Sequence, residues 1–253
     1  MIKHSIFIIA TDTGVGKTIT TLVLATLLKN KGINVGVMKP VQCGGNDTEF
    51  LKSSLKLKDS LRDINPYFAP EPLSPHLAFQ RQKKHIEAQK IISAHQKLQK
   101  KYELLLIEGA GGLLVPLNDS YFVADLIRDL NAEVIIVARL GLGTINHTLL
   151  TVEQAKAKGL RIKGIIFNQN SRTKTGIPEK TNPEIIEKLT GIPVLGTIPY
   201  LEKITKKEIV KKCKLTSVRH ENSSPLMGEV RWGWSKKVKY SILSPSPSPS
   251  HQG

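Results

Sequence analysis

The sequence has 253 residues, of which 40% are hydrophobic and 5% aromatic, enough for one sizeable α/β core rather than two. No apolar run reaches the roughly 18 residues of a membrane span, and the N-terminus shows no signal-peptide pattern, so we expect a cytoplasmic protein without membrane contact. The net charge of +16 is spread along the chain, with 26 Lys/Arg in residues 1–200 and 11 in residues 201–253. Because neither an Arg-rich helix nor an aromatic RNA-binding signature accompanies this charge, we expect no nucleic-acid partner.

The N-terminal stretch 5–18, SIFIIATDTGVGKT, has the pattern of a strand, a loop and a helix. Four apolar residues at 6–9 predict a buried strand, and apolar residues at helical spacing predict a helix from Thr18 to Lys31. The Gly-Lys-Thr sequence lies where the loop meets the helix. This is the context that a phosphate-binding P-loop requires.

The loop residues have the chemistry that a triphosphate needs. Gly14 and Gly16 allow backbone N–H groups to turn towards an anion, and the helix N-terminus adds unsatisfied donors. Lys17 would reach the β- and γ-phosphates, and the Thr18 hydroxyl would ligate Mg²⁺. The match to G-x-x-x-x-G-K-[ST] is imperfect, because Thr11 occupies the place of the first glycine. The alternative is an ordinary turn with a chance GKT.

Two charged residues follow the second predicted strand, which covers residues 33–38. Lys39 comes directly after it, at the sheet edge where open α/β proteins bind ligands, and could hold a second anion or remain a solvated lysine. Asp47 opens a predicted helix at 48–57 and is either a metal ligand or only a helix N-cap.

The third predicted strand, 104–107, ends at Glu108, and glycines follow, Gly111 and Gly112 among them. An acidic residue at a strand end near a P-loop is where nucleotide triphosphatases place a second Mg²⁺ contact. The glycines would allow close approach to a ligand. A strand-end glutamate before a loop could also have no special role.

Further strands are predicted at 134–138, 162–167 and 193–199. Helices are predicted at 122–130 and 183–189, and residues 140–147 are expected to run into a helix that lasts to Lys158. The alternation predicts a doubly wound, mainly parallel α/β sheet with helices on both faces, the P-loop NTPase fold. Between the strand at 134–138 and the next helix, a glycine-containing loop meets a helix N-terminus. That arrangement binds anions through backbone N–H groups, although it could also be a plain turn capped by Thr144.

The remaining segments are predicted from composition. Residues 64–79 contain four prolines and indicate an ordered surface loop or lid, and residues 81–102 indicate a polar amphipathic helix with His85 and His95 in solvent. Residues 171–181 are expected to be flexible. The P-loop domain is expected to cover residues 1–214, and residues 215–253 form an atypical low-complexity tail that we expect to be disordered.

Several strings resemble the dethiobiotin synthetase family over roughly residues 5–202. They are ATDTGVGKT, KPVQCGG, NPYFAPEPLSPH, EGAGG and LGLGTINH, with Ala10 in place of the common leading glycine. The resemblance implies an ATP- and Mg²⁺-dependent ligase that closes a ring on 7,8-diaminononanoate with CO₂, through a carbamate and a carbamic-phosphoric anhydride. It also implies a homodimer with shared active sites.

The resemblance also implies roles for particular residues. Those implied to be catalytic are Lys17, Lys39 and Thr13. Those implied to bind the nucleotide are Gly14, Val15, Gly16, Lys17, Thr18, Asn168 at the adenine, and Pro199. Those implied to hold Mg²⁺ are Thr18, Asp47 and Glu108, with Asp59 and Asp63 as weaker alternatives to Asp47. Those implied to bind the substrate are Lys39, Cys43, Gly111, Gly112, Gly143, Thr144, Ile145 and Asn146, the last four from the neighbouring subunit.

Two alternatives share the scaffold. The amidoligase domain of cobyrinic or cobyric acid synthases is accompanied by a glutamine-hydrolysing domain, for which residues 203–253 are too few. A ParA- or MinD-like partition ATPase carries an extra lysine near the start of the P-loop, where this chain has Ala-Thr-Asp-Thr at 10–13. The basic C-terminal segment is the feature that favours the second alternative.

Overall fold

The computed structural model of the chain describes residues 4–172 and 176–216. The rest of the predicted tail, residues 217–253, lies outside the described residues. No helix in the described ranges is long and apolar enough to cross a membrane.

The central feature is a six-stranded, fully parallel sheet with the order β2-β5-β1-β6-β7-β8. A second, two-stranded parallel sheet pairs β3 with β4. The strands are β1 (His4–Ala10), β2 (Val35–Met38), β3 (Val41–Cys43), β4 (Tyr67–Ala69), β5 (Leu104–Glu108), β6 (Glu133–Arg139), β7 (Ile162–Asn168) and β8 (Val194–Ile198). The six predicted strands of the main sheet and the doubly wound class are confirmed.

Helices cover both faces of the sheet. They are α1 (Lys17–Asn30), α2 (Asp47–Leu55), α3 (Leu61–Ile64), α4 (Pro75–Arg81), α5 (Ala88–Gln99), α6 (Val123–Asp129), α7 (Thr144–Ala157), α8 (Ile177–Thr190) and α9 (Lys206–Lys212). Buried residues of α1, α2, α3 and α9 belong to one hydrophobic cluster, and those of α4 to α8 belong to the other.

The position of strand β1 in the middle of the sheet explains why its sequence is continuously apolar. Phe7 and Ile9 join the cluster on one face, and Ile6 and Ile8 join the cluster on the other. Because both faces are covered, the residues of β1 do not alternate between apolar and polar, as they would in a sheet with one face in solvent. All four side chains are at most 2% exposed.

The topology places a ligand site after β1. The chain continues from β1 to β2 on one side of the sheet and later returns to β6 on the other side, so β1 lies between β5 and β6. The carboxyl end of a strand at such a reversal is the usual binding crevice of open α/β sheets. The P-loop follows β1 directly and therefore opens into this crevice.

The expectation that residues 64–79 form only a surface loop or lid was wrong. This segment contains β4 and the start of α4, and Tyr67, Ala69 and Phe79 are buried in the core. The Tyr67 and Phe79 rings meet edge to face with centroids 5.5 Å apart. The prolines mark turns between short elements whose apolar residues were too few to show a period.

Two predictions about helices also need correction, and one further helix was not predicted. The helix expected over 81–102 is α5 alone, and His95 on it is 4% exposed rather than solvated, whereas His85 is exposed as expected. Helix α8 begins at Ile177, inside the segment expected to be flexible, because Pro178 is accepted in the first turn of a helix. Helix α9 was not predicted at all.

The end of the described chain packs against the outermost strand β8. Leu215 lies against the hydrophobic cluster, and the N–H of Thr216 donates to the carbonyl of Leu195 at 2.8 Å. Both residues belong to the segment that the predicted boundary assigns to the tail.

Candidate functional site

The P-loop turns sharply into α1 through two glycines in left-handed conformations. Gly14 has φ 75° and Gly16, the residue that precedes α1, has φ 104°. Residues with a side chain rarely adopt such φ values, which explains the glycines of the motif. The loop is anchored at its start, where the N–H of Thr11 donates to the Val137 carbonyl at 3.0 Å.

A cavity of about 770 Å³ opens in front of the P-loop. Most predicted site residues contribute to its wall, namely Thr13, Gly14, Gly16, Lys17, Thr18, Lys39, Cys43, Asp47, Glu108 and Gly111. The proline-rich segment reaches it as well, through residues 72–75. Residues from four separate parts of the sequence, 13–19, 39–50, 72–75 and 108–115, therefore meet at one cleft, as the strand ends predicted.

A charge cluster lies at the floor of this cavity. The Lys39 ammonium is 2.6 Å from Glu108 Oε1 and 2.6 Å from Asp47 Oδ2. The hydroxyl of Thr18 donates to the same Glu108 oxygen at 2.8 Å. Lys39 and Glu108 are 5% and 1% exposed, so water contributes little to the solvation of either charge.

The two lysines of the site have opposite pKa shifts. Burial lowers the pKa of Lys17 below its usual 10.5, and the nearby positive charge of Lys39 acts in the same direction against the attraction of Glu108. Burial also acts to lower the pKa of Lys39, but the carboxylates of Glu108 and Asp47 outweigh it and leave that pKa raised. The raised pKa keeps Lys39 cationic at neutral pH.

The carboxylates suit a hard cation such as Mg²⁺. Glu108 Oε2 is buried and has no hydrogen-bond partner in the described structure, so it retains an oxygen that a cation could use. The described residues contain no group of three or more His, Cys, Asp or Glu side chains that could hold a metal alone. Two carboxylates and a hydroxyl are nevertheless the set that Mg²⁺ uses when phosphates and water supply its other ligands.

Of the three aspartates considered for the metal, Asp47 is the one that lies in the cavity wall. Asp59 pairs instead with Lys101 and Tyr102, and Asp63 pairs with Lys97. Asp47 is the first residue of α2, preceded by Asn46 as N-cap, so it does not cap the helix.

Gln42 is a site residue that the sequence analysis missed. It is 2% exposed, donates to the carbonyls of Gly44 and Gly45, and accepts from the N–H of Thr48. It therefore fixes the turn that presents Asp47. The signal available in the sequence was a polar residue within the buried string KPVQC.

Cys43 also lines the cavity, and burial raises the pKa of its thiol to about 11. It is therefore protonated at neutral pH, which suits the implied substrate contact better than a role as a nucleophile.

The loop before α7 lies outside the cavity of its own chain. Gly143, with φ 84°, precedes the helix, and no hydrogen bond of the described residues uses the N–H groups of Ile145 and Asn146. Leu142 and Leu150, which flank these donors, are 83% and 63% exposed. Free backbone donors thus lie close in sequence to two exposed leucines.

The other predicted contacts are less direct. Gly112 and Thr13 line a second cavity of about 350 Å³, between the P-loop and α7. Val15 is buried at 2% exposure. Asn168 and Pro199 line neither cavity, and the Asn168 amide donates to the Val15 carbonyl at 2.8 Å. The adenine contacts of Asn168 and Pro199 stay predictions.

Known proteins resemble this chain over most of its length. A family model described as an AAA domain matches residues 4–208. The ATP-dependent dethiobiotin synthetase BioD of Thermodesulfovibrio yellowstonii is 42% identical over 82% of this chain and 93% of its own length. The enzyme of the same name from Methanococcus vannielii is 46% identical over 76% of this chain and 92% of its own length. The chain belongs to the dethiobiotin synthetase family.

Solved structures share the fold. The cell division ATPase MinD of Pyrococcus furiosus superposes with a TM-score of 0.54 at 20% identity, over 83% of this chain and 96% of that one. At this identity the likeness concerns the fold alone, so it does not favour the partition-ATPase alternative over the dethiobiotin synthetase family.

Proposed function

We propose that the protein catalyses the ATP-dependent ring closure of 7,8-diaminononanoate with CO₂ to give dethiobiotin, ADP and phosphate. The observation that carries the proposal is the contact of Lys39 with Glu108 at the floor of the P-loop cavity, in a chain of this family. This contact places Lys39, a cation that could bind an acidic group of the substrate, next to Glu108 in the triphosphate site.

The proposed course has three balanced steps. One amine of the substrate attacks CO₂ and loses a proton, which gives a carbamate. A carbamate oxygen attacks the γ-phosphorus of ATP, and ADP leaves. The second amine then attacks the carbamoyl carbon and loses a proton, and phosphate leaves as the cyclic urea closes.

The P-loop and the two lysines supply positioning and charge, which is what phosphoryl transfer mainly needs. Lys17, at the start of α1, holds the β- and γ-phosphates. Lys39, which lines the same cavity, neutralises the carbamate and the oxygens that gain charge during transfer. Thr13, which lines both cavities, lies between the two reactants. Burial keeps these interactions strong, because water does not screen them.

Thr18, Glu108 and Asp47 would hold Mg²⁺. When bound, the ion supplies positive charge to the phosphate oxygens. Lys39 now contacts both carboxylates, so this side chain has to share them or move when a second cation arrives.

We propose further that the protein acts as a homodimer. The N–H groups at the start of α7 in one subunit bind the carboxylate of the substrate that lies in the active site of the neighbouring subunit. Support comes from the free donors of Ile145 and Asn146, their separation from the cavity of their own chain, and the exposed leucines beside them. A helix N-terminus suits a carboxylate because its donors and dipole are both favourable.

The test is product analysis by mass spectrometry after incubation with diaminononanoate, ¹³C-bicarbonate and MgATP. We expect a cyclic urea that carries one ¹³C, formed in equal amounts with ADP and phosphate. ATP turnover without a labelled product would contradict the proposal, and stimulation by DNA instead of diaminononanoate would favour a partition ATPase.

A further inference from the structure

Asn168, the last residue of β7, lies behind the P-loop rather than in the cavity. Its side chain is buried, at 4% exposure, and its Nδ2 donates to the carbonyl of Val15 at 2.8 Å. An amide that is buried in this way has to satisfy its hydrogen bonds locally. The partner that it finds is the backbone of the phosphate-binding loop.

The bond has a consequence for the neighbouring donor. The carbonyl of Val15 and the N–H of Gly16 belong to one peptide unit, and in a trans peptide these two groups point in opposite directions. When Asn168 holds the carbonyl on the sheet side of the loop, the Gly16 N–H is directed away from the sheet. Gly16 lines the cavity where phosphates are expected, so an N–H directed away from Asn168 is available to them.

The contact between the loop and the amide is tight. A Cβ atom on Gly16 would lie 2.1 Å from Asn168 Nδ2, which is far inside van der Waals contact. Asn170 repeats the arrangement more weakly, since its Nδ2 lies 3.3 Å from the Gly14 carbonyl and its side chain is exposed. Two asparagines at the end of β7 thus hold two successive carbonyls of the loop.

We infer that Asn168 is a positioning residue for the triphosphate: it fixes the Val15–Gly16 peptide so that the Gly16 N–H donates to a phosphate oxygen. The inference rests on the proposed function only in that the P-loop binds a triphosphate. An adenine contact would make Asn168 recognise the base of the nucleotide, whereas the positioning role makes it affect only the binding of the triphosphate. A residue that acts through the loop affects every ligand with a triphosphate, whether or not the ligand carries a base.

The experiment compares Asn168→Ala with the wild-type chain. Competition against a fluorescent ATP analogue measures the affinities of ATP and of inorganic tripolyphosphate, both with Mg²⁺. Loss of one hydrogen bond corresponds to about a three- to tenfold weaker binding, and we expect that loss for both ligands alike. A loss confined to ATP would overturn the inference in favour of the base contact, and unchanged affinities would overturn it outright.

Two further variants guard the interpretation. Asn168→Asp keeps the size of the side chain and removes the donor, and we expect it to weaken both ligands at least as much as Asn168→Ala. Asn170→Ala removes an amide from the longer, exposed contact and should change either affinity less than about twofold. If Asn170→Ala matched Asn168→Ala, the buried contact would have no special role.

The Gly16 amide provides a readout that a loss of stability alone would not move. In ¹⁵N-labelled wild-type protein, tripolyphosphate should shift the Gly16 N–H resonance, and in Asn168→Ala that shift should be reduced while shifts elsewhere in the loop persist. An unchanged Gly16 shift would contradict the positioning role. If the wild-type chain bound neither ATP nor tripolyphosphate, the proposed function itself would fail, which is a different outcome from a base-selective loss.

Discussion

The ammonium of Lys39 lies 2.6 Å from Glu108 Oε1, and the two side chains are 6% and 1% exposed. Both charges have left water, so each depends on the other and on Thr18 and Asp47 for its stabilisation. A buried pair of this kind costs a great deal when one partner alone is removed. The contact is therefore a matter of stability as well as of chemistry.

Lys39→Met should lower the free energy of unfolding by about 3 kcal/mol, because it leaves the Glu108 carboxylate buried without its cation. The double variant Lys39→Met/Glu108→Gln should be more stable than the single one, since no unpaired charge remains. Urea denaturation measures both. Lys156→Met removes a lysine from an exposed pair with Glu153 and should cost less than about 1 kcal/mol. If Lys39→Met and Lys156→Met lowered the free energy of unfolding equally, burial of the Lys39–Glu108 pair would not contribute to the effect.

Lys39→Ala should leave most of the affinity for ATP intact while kcat falls by about 100-fold or more, because this lysine is assigned to the carbamate. Nucleotide binding is measured by calorimetry and turnover by release of phosphate. An equal loss of nucleotide affinity would assign Lys39 to the triphosphate instead.

Lys17→Ala should abolish measurable transfer of the γ-phosphoryl group, because it removes the cation at the start of α1 that faces the β- and γ-phosphates. The exposed Lys31→Ala at the other end of α1 is the matched control and should retain full turnover. Near-normal turnover of Lys17→Ala would mean that the 11–18 loop is not the nucleotide site.

Asn146→Pro removes one free N–H from the first turn of α7, a position where proline is tolerated. We expect it to raise the KM for diaminononanoate at least tenfold, about the lower end of the range for one lost hydrogen bond to a charged group, with ATP affinity nearly unchanged. Asn146→Ala keeps the N–H and removes the same side chain, so it should raise the KM less.

A mixture of Asn146→Pro with Lys17→Ala tests whether sites are shared. If each site joins the P-loop of one chain to the α7 loop of the other, a mixed dimer has one site with both defects and one with neither. Activity should then partly return once subunits have exchanged. With exchange demonstrated, no gain in activity would mean that each chain binds its substrate alone.

His95 should make stability depend on pH. Burial lowers its pKa to about 4, while the pKa in the unfolded chain is near 6.5. Below pH 6.5 the unfolded state therefore binds more protons, and stability is lost as the pH falls from about 6.5 to about 4. At pH 5.5 the loss amounts to about 1.4 kcal/mol. Urea denaturation at pH 7.5 and at pH 5.5 measures the change in the free energy of unfolding. In His95→Gln, the part of this change that His95 causes should be absent. The same slope in both proteins would assign it to other groups.

The main sheet could be predicted because its strands are mainly apolar runs that are followed by polar, charged or turn-forming residues. The cavity followed from them, since parallel strands present their carboxyl ends at one edge. Lys39 and Glu108 were found in this way, each directly after or at the end of a strand.

Features that depend on packing between distant segments were out of reach. Nothing in the sequence near His95 shows that its Nε2 lies 2.8 Å from the hydroxyl of Ser5, 90 residues away in the chain. The short elements β4 and α9 have too few residues for a period. Gln42 binds backbone groups two to six residues further along the chain, and Asn168 contacts the carbonyl of Val15. The spacing of apolar residues reveals neither set of partners.

The strand β8 forms one border of the sheet, and residues 214–216 run beside it, with Thr216 bound to Leu195. An uncovered border strand offers a row of backbone donors and acceptors to any other chain, which promotes edge-to-edge aggregation. The short segment after α9 protects part of that row, although it contributes nothing to the cleft. A shortened form of the protein intended for crystallisation should therefore extend at least to Thr216, two residues beyond the boundary that composition alone would choose.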